Sequence, residues 1–201
     1  MIVAKSGLEL PVIDELLKIT KYPSPDDAVR ALTYGRVQAA AIEAAERIRT
    51  MVREEDDERQ LKRRSLINYR RFYVGGVGIG VSITGSNKHP YKWWAFVAAN
   101  TKPSKAASKF CAEMRIMTAA REVRCSCIGG LVVVGELQPD ARSGKQRMTL
   151  DPCPECRDMM RCDRYRHLFR TRSQIMTAQP LAQVLNLETL PEMMAFHGEE
   201  F

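Results

Sequence analysis

The sequence predicts a layered α/β domain preceded by a helical extension, and three observations lead there. After residue 66 the runs alternate in the order strand, strand, helix, strand, helix, strand, the pattern of an α/β layered architecture. Before residue 65 the texture is helical and rich in Ala, Glu and Arg. The apolar share is 45% of 201 residues, ordinary for one globular domain of this length. Residues 1–65 are therefore read as the N-terminal helical extension and residues 66–201 as the α/β domain.

The extension begins with a clear start signal. "SPDD" offers Ser24 as N-cap, Pro25 at the first helical position and two acids in the first turn. Val29, Leu32, Val37, Ile42, Ile48 and Val52 supply apolar positions, and Gly35 is a candidate interruption. The run "REEDDERQLKRR" is charged on nearly every face and reads as solvated.

In the domain, "FYVGGVGIGVSITG" and "YKWWAFVAAN" read as strands joined by a turn at "GSNKHP". The glycines lack the full phosphate-loop spacing, so close packing of a helix on this strand is the better account. "SKAASKFCAEMRIMTAAREV" reads as a helix and "IGGLVVVGEL" as a buried strand. A loop, "QPDARSGKQRM", leads to "LDPCPECRDMMRCDRYRHLFR", read as one helix. Short strands at "QIMTA" and "AQVLN" precede the closing "LETLPEMMAF". Trp93 and Trp94 alternate across their strand, one into the core and the other available to line a pocket.

Charge and cysteine usage narrow the function classes. The formal charge is +7, compatible with an anionic partner such as a nucleotide or nucleic acid. No apolar run reaches a membrane span of about 18 residues, and acids come early, so neither a membrane helix nor a signal peptide is expected. The six cysteines all fall between Cys111 and Cys162, which favours a reduced, cytoplasmic chain with metal binding or catalysis over disulfides.

In "DPCPEC", Asp151 and Pro152 suit a helix start, which sets Cys153 and Cys156 in a first turn where thiolates are favoured. In "KFCAEM", Cys111 and Glu113 are two apart and cannot share a side in mid-helix. They converge if the helix begins right there. Two helix starts aimed at one point would bring Cys111, Cys153 and Cys156 together, three ligands with an open fourth position, as in catalytic zinc. Glu113 would then lie beside the metal's water as a proton shuttle. Arg157 and Arg115 are candidates to offset the charge of three thiolates. The competing assignment is a structural four-cysteine zinc site of Cys125, Cys127, Cys153 and Cys156, which leaves Glu113 without a role.

"CAE" followed by "PCPECR" resembles the zinc signature of the cytidine deaminase superfamily, with cysteine in place of histidine as in its free-nucleoside enzymes. The resemblance covers roughly residues 66–201 and is specific at these motifs. It implies a three-layer α/β/α sandwich with a central mixed sheet, a zinc cofactor and hydrolytic deamination of a cytosine-type base in a nucleoside or nucleotide. It further implies that Phe72 packs on the base, that Asn100 contacts the sugar, and that the protein forms a homo-oligomer. The sequence departs from the family at Lys102, where an acid that grips a ribose hydroxyl is usual, and at Met114, where an arginine is usual.

Lys102 and the basic stretch Arg157, Arg161, Arg164, Arg166, Arg170 and Arg172, with Tyr165 and Phe169 within it, carry the alternative of a polynucleotide deaminase or editing factor. A solvated helix face is the plainer reading of that stretch. A zinc-bearing interaction protein without activity is a further alternative, against which Glu113 stands. His89, His167 and His197 have no metal-like spacing and are read as incidental.

Overall fold

Alternation along "VGGVGIGVSI" sets the two faces of the sheet. The computed structural model describes residues 2–4, 11–63, 73–100, 110–137, 150–181 and 183–201. Among the described residues there are six strands, β1 (Ile2–Ala4), β2 (Val74–Ile83), β3 (Tyr91–Ala99), β4 (Cys125–Gly135), β5 (Gln174–Gln179) and β6 (Gln183–Thr189). They form one mixed sheet in the order β1-β3-β2-β4-β5-β6, with β4 and β5 parallel and every other neighbouring pair antiparallel. Strand β1 had no signal in the sequence reading; it is three residues long and completes an edge against β3.

Val77, Ile79 and Val81 point to one face, where Val12, Leu16, Ala28, Leu32, Ala41 and Ala45 cover them. Those residues come from α1 (Pro11–Ile19), α2 (Pro25–Arg30) with the 3-10 turn after it, and α3 (Gly35–Arg63). The N-terminal helical segment therefore supplies the layer on this face. Its start is as read: the Asp27 N–H donates to Ser24 Oγ at 3.2 Å and the Ser24 N–H to Asp27 Oδ2 at 2.8 Å. The interruption at Gly35 is also present, with Tyr34 extended just before α3 begins.

The other face is covered by α4 (Ala112–Glu122), α5 (Pro154–Arg161), α6 (Asp163–Arg166) and α7 (Leu190–Phe196). Ile116, Met117, Met160 and Met193 pack there against Phe96, Leu131 and Ile175. The glycines of β2 admit helices on both sides. A Cβ at Gly78 would lie 2.4 Å from Ile116 Cγ2, and one at Gly75 would lie 1.8 Å from the Ala45 carbonyl oxygen. Close packing, not phosphate binding, accounts for them.

The expected single helix over 150–170 is two helices. Cys162 is extended (φ −68°, ψ 148°) and ends α5 while starting α6. The break lets Tyr165, Leu168 and Phe169 enter the core beside Met160. It also brings the Leu168 carbonyl within 2.6 Å of the Ile128 N–H and the Ser173 hydroxyl within 2.8 Å of the Ile128 carbonyl. A straight helix would carry those groups past the sheet. Helix α4 is likewise shorter than the expected 104–123, starting only after Cys111. The boundary near 65 and the loop 138–148 lie outside the described residues.

Trp93 is buried and donates its indole N–H to the Thr20 carbonyl at 3.0 Å. Trp94 faces the α4 side, half-buried, donating to Ser82 Oγ at 2.6 Å and stacked on Phe96.

Candidate metal centre

A helix that starts at residue 112 leaves its first N–H groups pointing outward, with a positive end of the helix dipole. Cys111 is the N-cap of α4, extended at φ −70° and ψ 155°, so its thiol hangs in front of that end. Cys153 is the N-cap of α5 in nearly the same conformation, φ −64° and ψ 164°, and Cys156 follows within its first turn. The two helix starts meet. Cys111 Sγ lies 3.5 Å from Cys153 Sγ, Cys153 Sγ lies 3.5 Å from Cys156 Sγ, and all three sulfurs fall within 4.8 Å of one another.

That triangle fits a metal. Sulfurs held tetrahedrally at about 2.3 Å from zinc stand about 3.8 Å apart, close to the spacing found. Three soft thiolates with no carboxylate among them suit zinc rather than magnesium or calcium. Among the described residues this is the one group of three or more such side chains gathered closely enough to hold an ion.

The thiols also share protons as a unit. Hydrogen bonding with Cys111 and Cys156 holds Cys153 well below the usual thiol range. The Cys111 thiol, hydrogen-bonded to Cys153, is pushed up to about 12. Cys156 is raised as well, chiefly by its bonds to Cys111 and Cys153. Glu113, in the first turn of α4 and only 5% exposed, acts electrostatically on both Cys111 and Cys156. The carboxylate is thus within electrostatic reach of the cluster, two residues on from the Cys111 cap.

Asn100 is buried at the end of β3, where its Oδ1 accepts from the Val74 N–H at 2.8 Å. Arg115 is half-buried with Nη1 at 3.4 Å from the Ala99 carbonyl. Arg157, 7% exposed, donates from Nη1 to the Pro152 carbonyl at 2.7 Å and from Nε and Nη2 to Glu199 Oε1 at 3.1 and 2.9 Å. Phe72 and Lys102 lie outside the described residues.

The four-cysteine alternative is not assembled. Cys125 and Cys127 belong to the cores on opposite faces of the sheet, and Cys125 donates its thiol to the Val81 and Cys127 carbonyls, each at 3.2 Å. Cys162 is exposed and bonds the Met159 carbonyl. The basic stretch is not one face either, because the turn at Cys162 divides it. Tyr165 and Phe169 are buried in the core, so they offer no ring for a base to stack on. His89 stacks on Tyr22, away from any metal role.

One group of residues near the site escaped the sequence reading. His197 Nε2 lies 3.2 Å from Asp151 Oδ2, and Glu199 meets Arg157 as described. Gly198, with φ +70°, is the available signal, marking a reversal after α7 that aims Glu199 back at α5.

No family model matches the sequence, and no curated protein matches it. Solved structures do show similarity to the chain. A cytidine deaminase from Burkholderia pseudomallei is 17% identical over 78% of this chain and 94% of that one, with a TM-score of 0.45. The enzyme from Mycobacterium leprae is 19% identical over 78% and 92%, with a TM-score of 0.39. That from Mycobacterium tuberculosis is 15% identical over 78% and 89%, with a TM-score of 0.38.

Proposed function

We propose that the protein is a zinc-dependent hydrolase that removes the amino group of a cytosine-type base in a nucleoside or nucleotide and releases ammonia. The single observation that carries this reading is the meeting of Cys111, Cys153 and Cys156 at two helix starts, with Glu113 buried in the first turn of one of them. Four thiolates would close a structural site, whereas three leave a position open to water. Zinc, when bound, supplies a Lewis acid that lowers the pKa of water towards neutrality.

The chain's own residues do the rest. Glu113 accepts a proton from the water as its oxygen bonds to C4 of the base, and delivers that proton to ring N3. It then takes the proton of the new C4 hydroxyl and passes it to the C4 amino nitrogen, so that the C–N bond breaks, ammonia leaves and the C4 oxygen remains as a carbonyl. Burial of Glu113 supports this role, because a sheltered carboxylate shuttles a proton without competing solvent. Asn100 accepts the Val74 N–H with its amide oxygen, which fixes the side chain that would contact the sugar. Phe72 would cover the ring, and Lys102 would favour a phosphate over the ribose hydroxyl that an acid grips.

Among the described residues, no helix is long and apolar enough to cross a membrane. A homo-oligomer is part of the proposal, and sedimentation of the zinc-loaded protein tests it. The function is tested by ammonia release from free nucleosides, nucleotides and oligonucleotides, with Glu113→Ala as control. Release from cytidine or its phosphates supports the proposal. Release from oligonucleotides alone moves the substrate to single strands, and release from none of the cytosine or adenine compounds overturns the catalytic reading.

A further inference from the structure

We propose that the C-terminal segment His197–Glu199 is a clasp on the turn that carries Cys153 and Cys156, with Glu199 as its positioning residue. The inference rests on the zinc reading above and concerns how the chain holds two of the ligands in place.

The clasp is built from α7 outward. Leu190, Met193 and Met194 are fully buried and anchor the helix in the core. Gly198, at φ +70°, reverses the chain with its N–H on the Ala195 carbonyl at 3.0 Å, and the Glu199 N–H returns to Met194 at 2.9 Å. A side chain with a Cβ is strained in that conformation, so the reversal depends on glycine.

The reversal presents two side chains to the cysteine turn. His197 Nε2 meets Asp151 Oδ2 at 3.2 Å, two residues before Cys153. Glu199 Oε1 accepts from Arg157 Nε and Nη2, one residue after Cys156, while Arg157 Nη1 donates to the carbonyl of Pro152, one residue before Cys153. Glu199 Oε2 also lies 3.4 Å from Arg161 Nη2. The residues flanking both ligands are therefore tied to one carboxylate and one imidazole. On this view Arg157 works as a strut whose charge is shared with Glu199, and it orients the turn more than it offsets the thiolates.

Such an arrangement matters because the turn has no sheet ladder of its own. Residues 151–153 lie in neither helix nor strand, and α5 begins directly after them. Groups that orient metal ligands through hydrogen bonds commonly set affinity by about 10- to 100-fold. The Arg157–Glu199 pair is largely sheltered, so loss of the carboxylate leaves a buried guanidinium without its partner.

The test uses full-length protein, with zinc affinity measured by competition with a chromophoric chelator and the absorption spectrum of the cobalt(II) form. Glu199→Ala is expected to bind zinc about 10- to 100-fold more weakly and to shift the thiolate-to-cobalt bands. Glu199→Gln, whose amide oxygen still accepts from Arg157, is expected to recover most of both. Glu192→Ala removes the capping box at the other end of α7, which involves an exposed side chain, and is expected to bind zinc as the wild type does. If Glu199→Ala does not fold, Glu199→Asp keeps the charge, withdraws the carboxylate and is expected to weaken zinc and shift the bands.

Unchanged affinity and an unchanged cobalt spectrum in the Ala or Asp variant overturn the clasp while leaving the zinc reading standing. An equal loss in Glu192→Ala overturns it too, by tracing the effect to a loosened α7. Wild-type protein that binds no zinc overturns both proposals together.

Discussion

The sulfur of Cys111 stands 3.5 Å from the sulfur of Cys153, although 42 residues separate them. Each residue is the extended N-cap of its own helix, so the contact is a meeting of two helix starts across the end of the sheet. Neither helix alone holds a site. The candidate centre exists only where α4 and α5 lie on the same face.

Metal content should follow that meeting and ignore the remaining cysteines. Cys153→Ala is expected to lose zinc, while Cys125→Ala and Cys127→Ala retain about one zinc per chain, read by elemental analysis after dialysis. Those two thiols point into separate cores. Zinc loss in either of them would revive the four-cysteine assignment.

Glu113 is expected to separate metal binding from turnover. Glu113→Ala should keep its zinc and lower the rate of ammonia release by about 10²- to 10⁴-fold, the usual contribution of a positioned proton shuttle. A variant that loses zinc and rate together would make Glu113 a ligand or a folding residue instead.

The glycine at position 78 is expected to be costly to replace. A methyl group there would lie 2.4 Å from Ile116 Cγ2, with β2 unable to retreat because β3 and β4 flank it. Gly78→Ala should lose about 1–3 kcal/mol of stability in urea titration, the usual cost of overpacking. Because Ile116 belongs to the helix that Cys111 caps, weaker zinc binding should accompany the loss. Unchanged stability would mean that α4 can shift freely on the sheet.

Stability is expected to fall in the alkaline range partly through Cys125. Burial pushes this thiol up to about 12 from its ordinary 9.0. Above pH 9 the unfolded chain gives up this proton while the folded one keeps it, so the unfolded state gains. The contribution is whole below pH 9 and declines as pH rises towards 12. Cys125→Ala should therefore flatten that part of the stability–pH curve relative to the wild type, and parallel curves would refute the assignment.

Much of the site was legible because its signals are local. The two-residue step from Cys111 to Glu113 and the capping box at Ser24 each describe a helix start, decided by atoms within one turn. The start read at Asp151 and Pro152 instead falls two residues later, with Cys153 as N-cap and Pro154 first in α5. The β-rich composition and the turn signal between them likewise marked β2 and β3. The break at Cys162 was not legible, since "RDMMRCDRYRHLF" has no proline or glycine and a continuous helix satisfies it locally. What ends α5 is the burial of Tyr165, Leu168 and Phe169 beside Met160, a demand made by the rest of the core.

By itself, then, the chain's order of residues determined the candidate ligands and placed an acid in the first turn after Cys111, because those depend on neighbours in sequence. Tertiary structure alone decided that the N-terminal helices form a layer of the sheet, that Tyr165 and Phe169 are core residues, and that Glu199 reaches Arg157. Each of these is an encounter between segments distant in sequence. Sheet order and core packing bring such segments together, and the Arg157–Glu199 pair at 2.9 Å spans 42 residues that no local pattern connects.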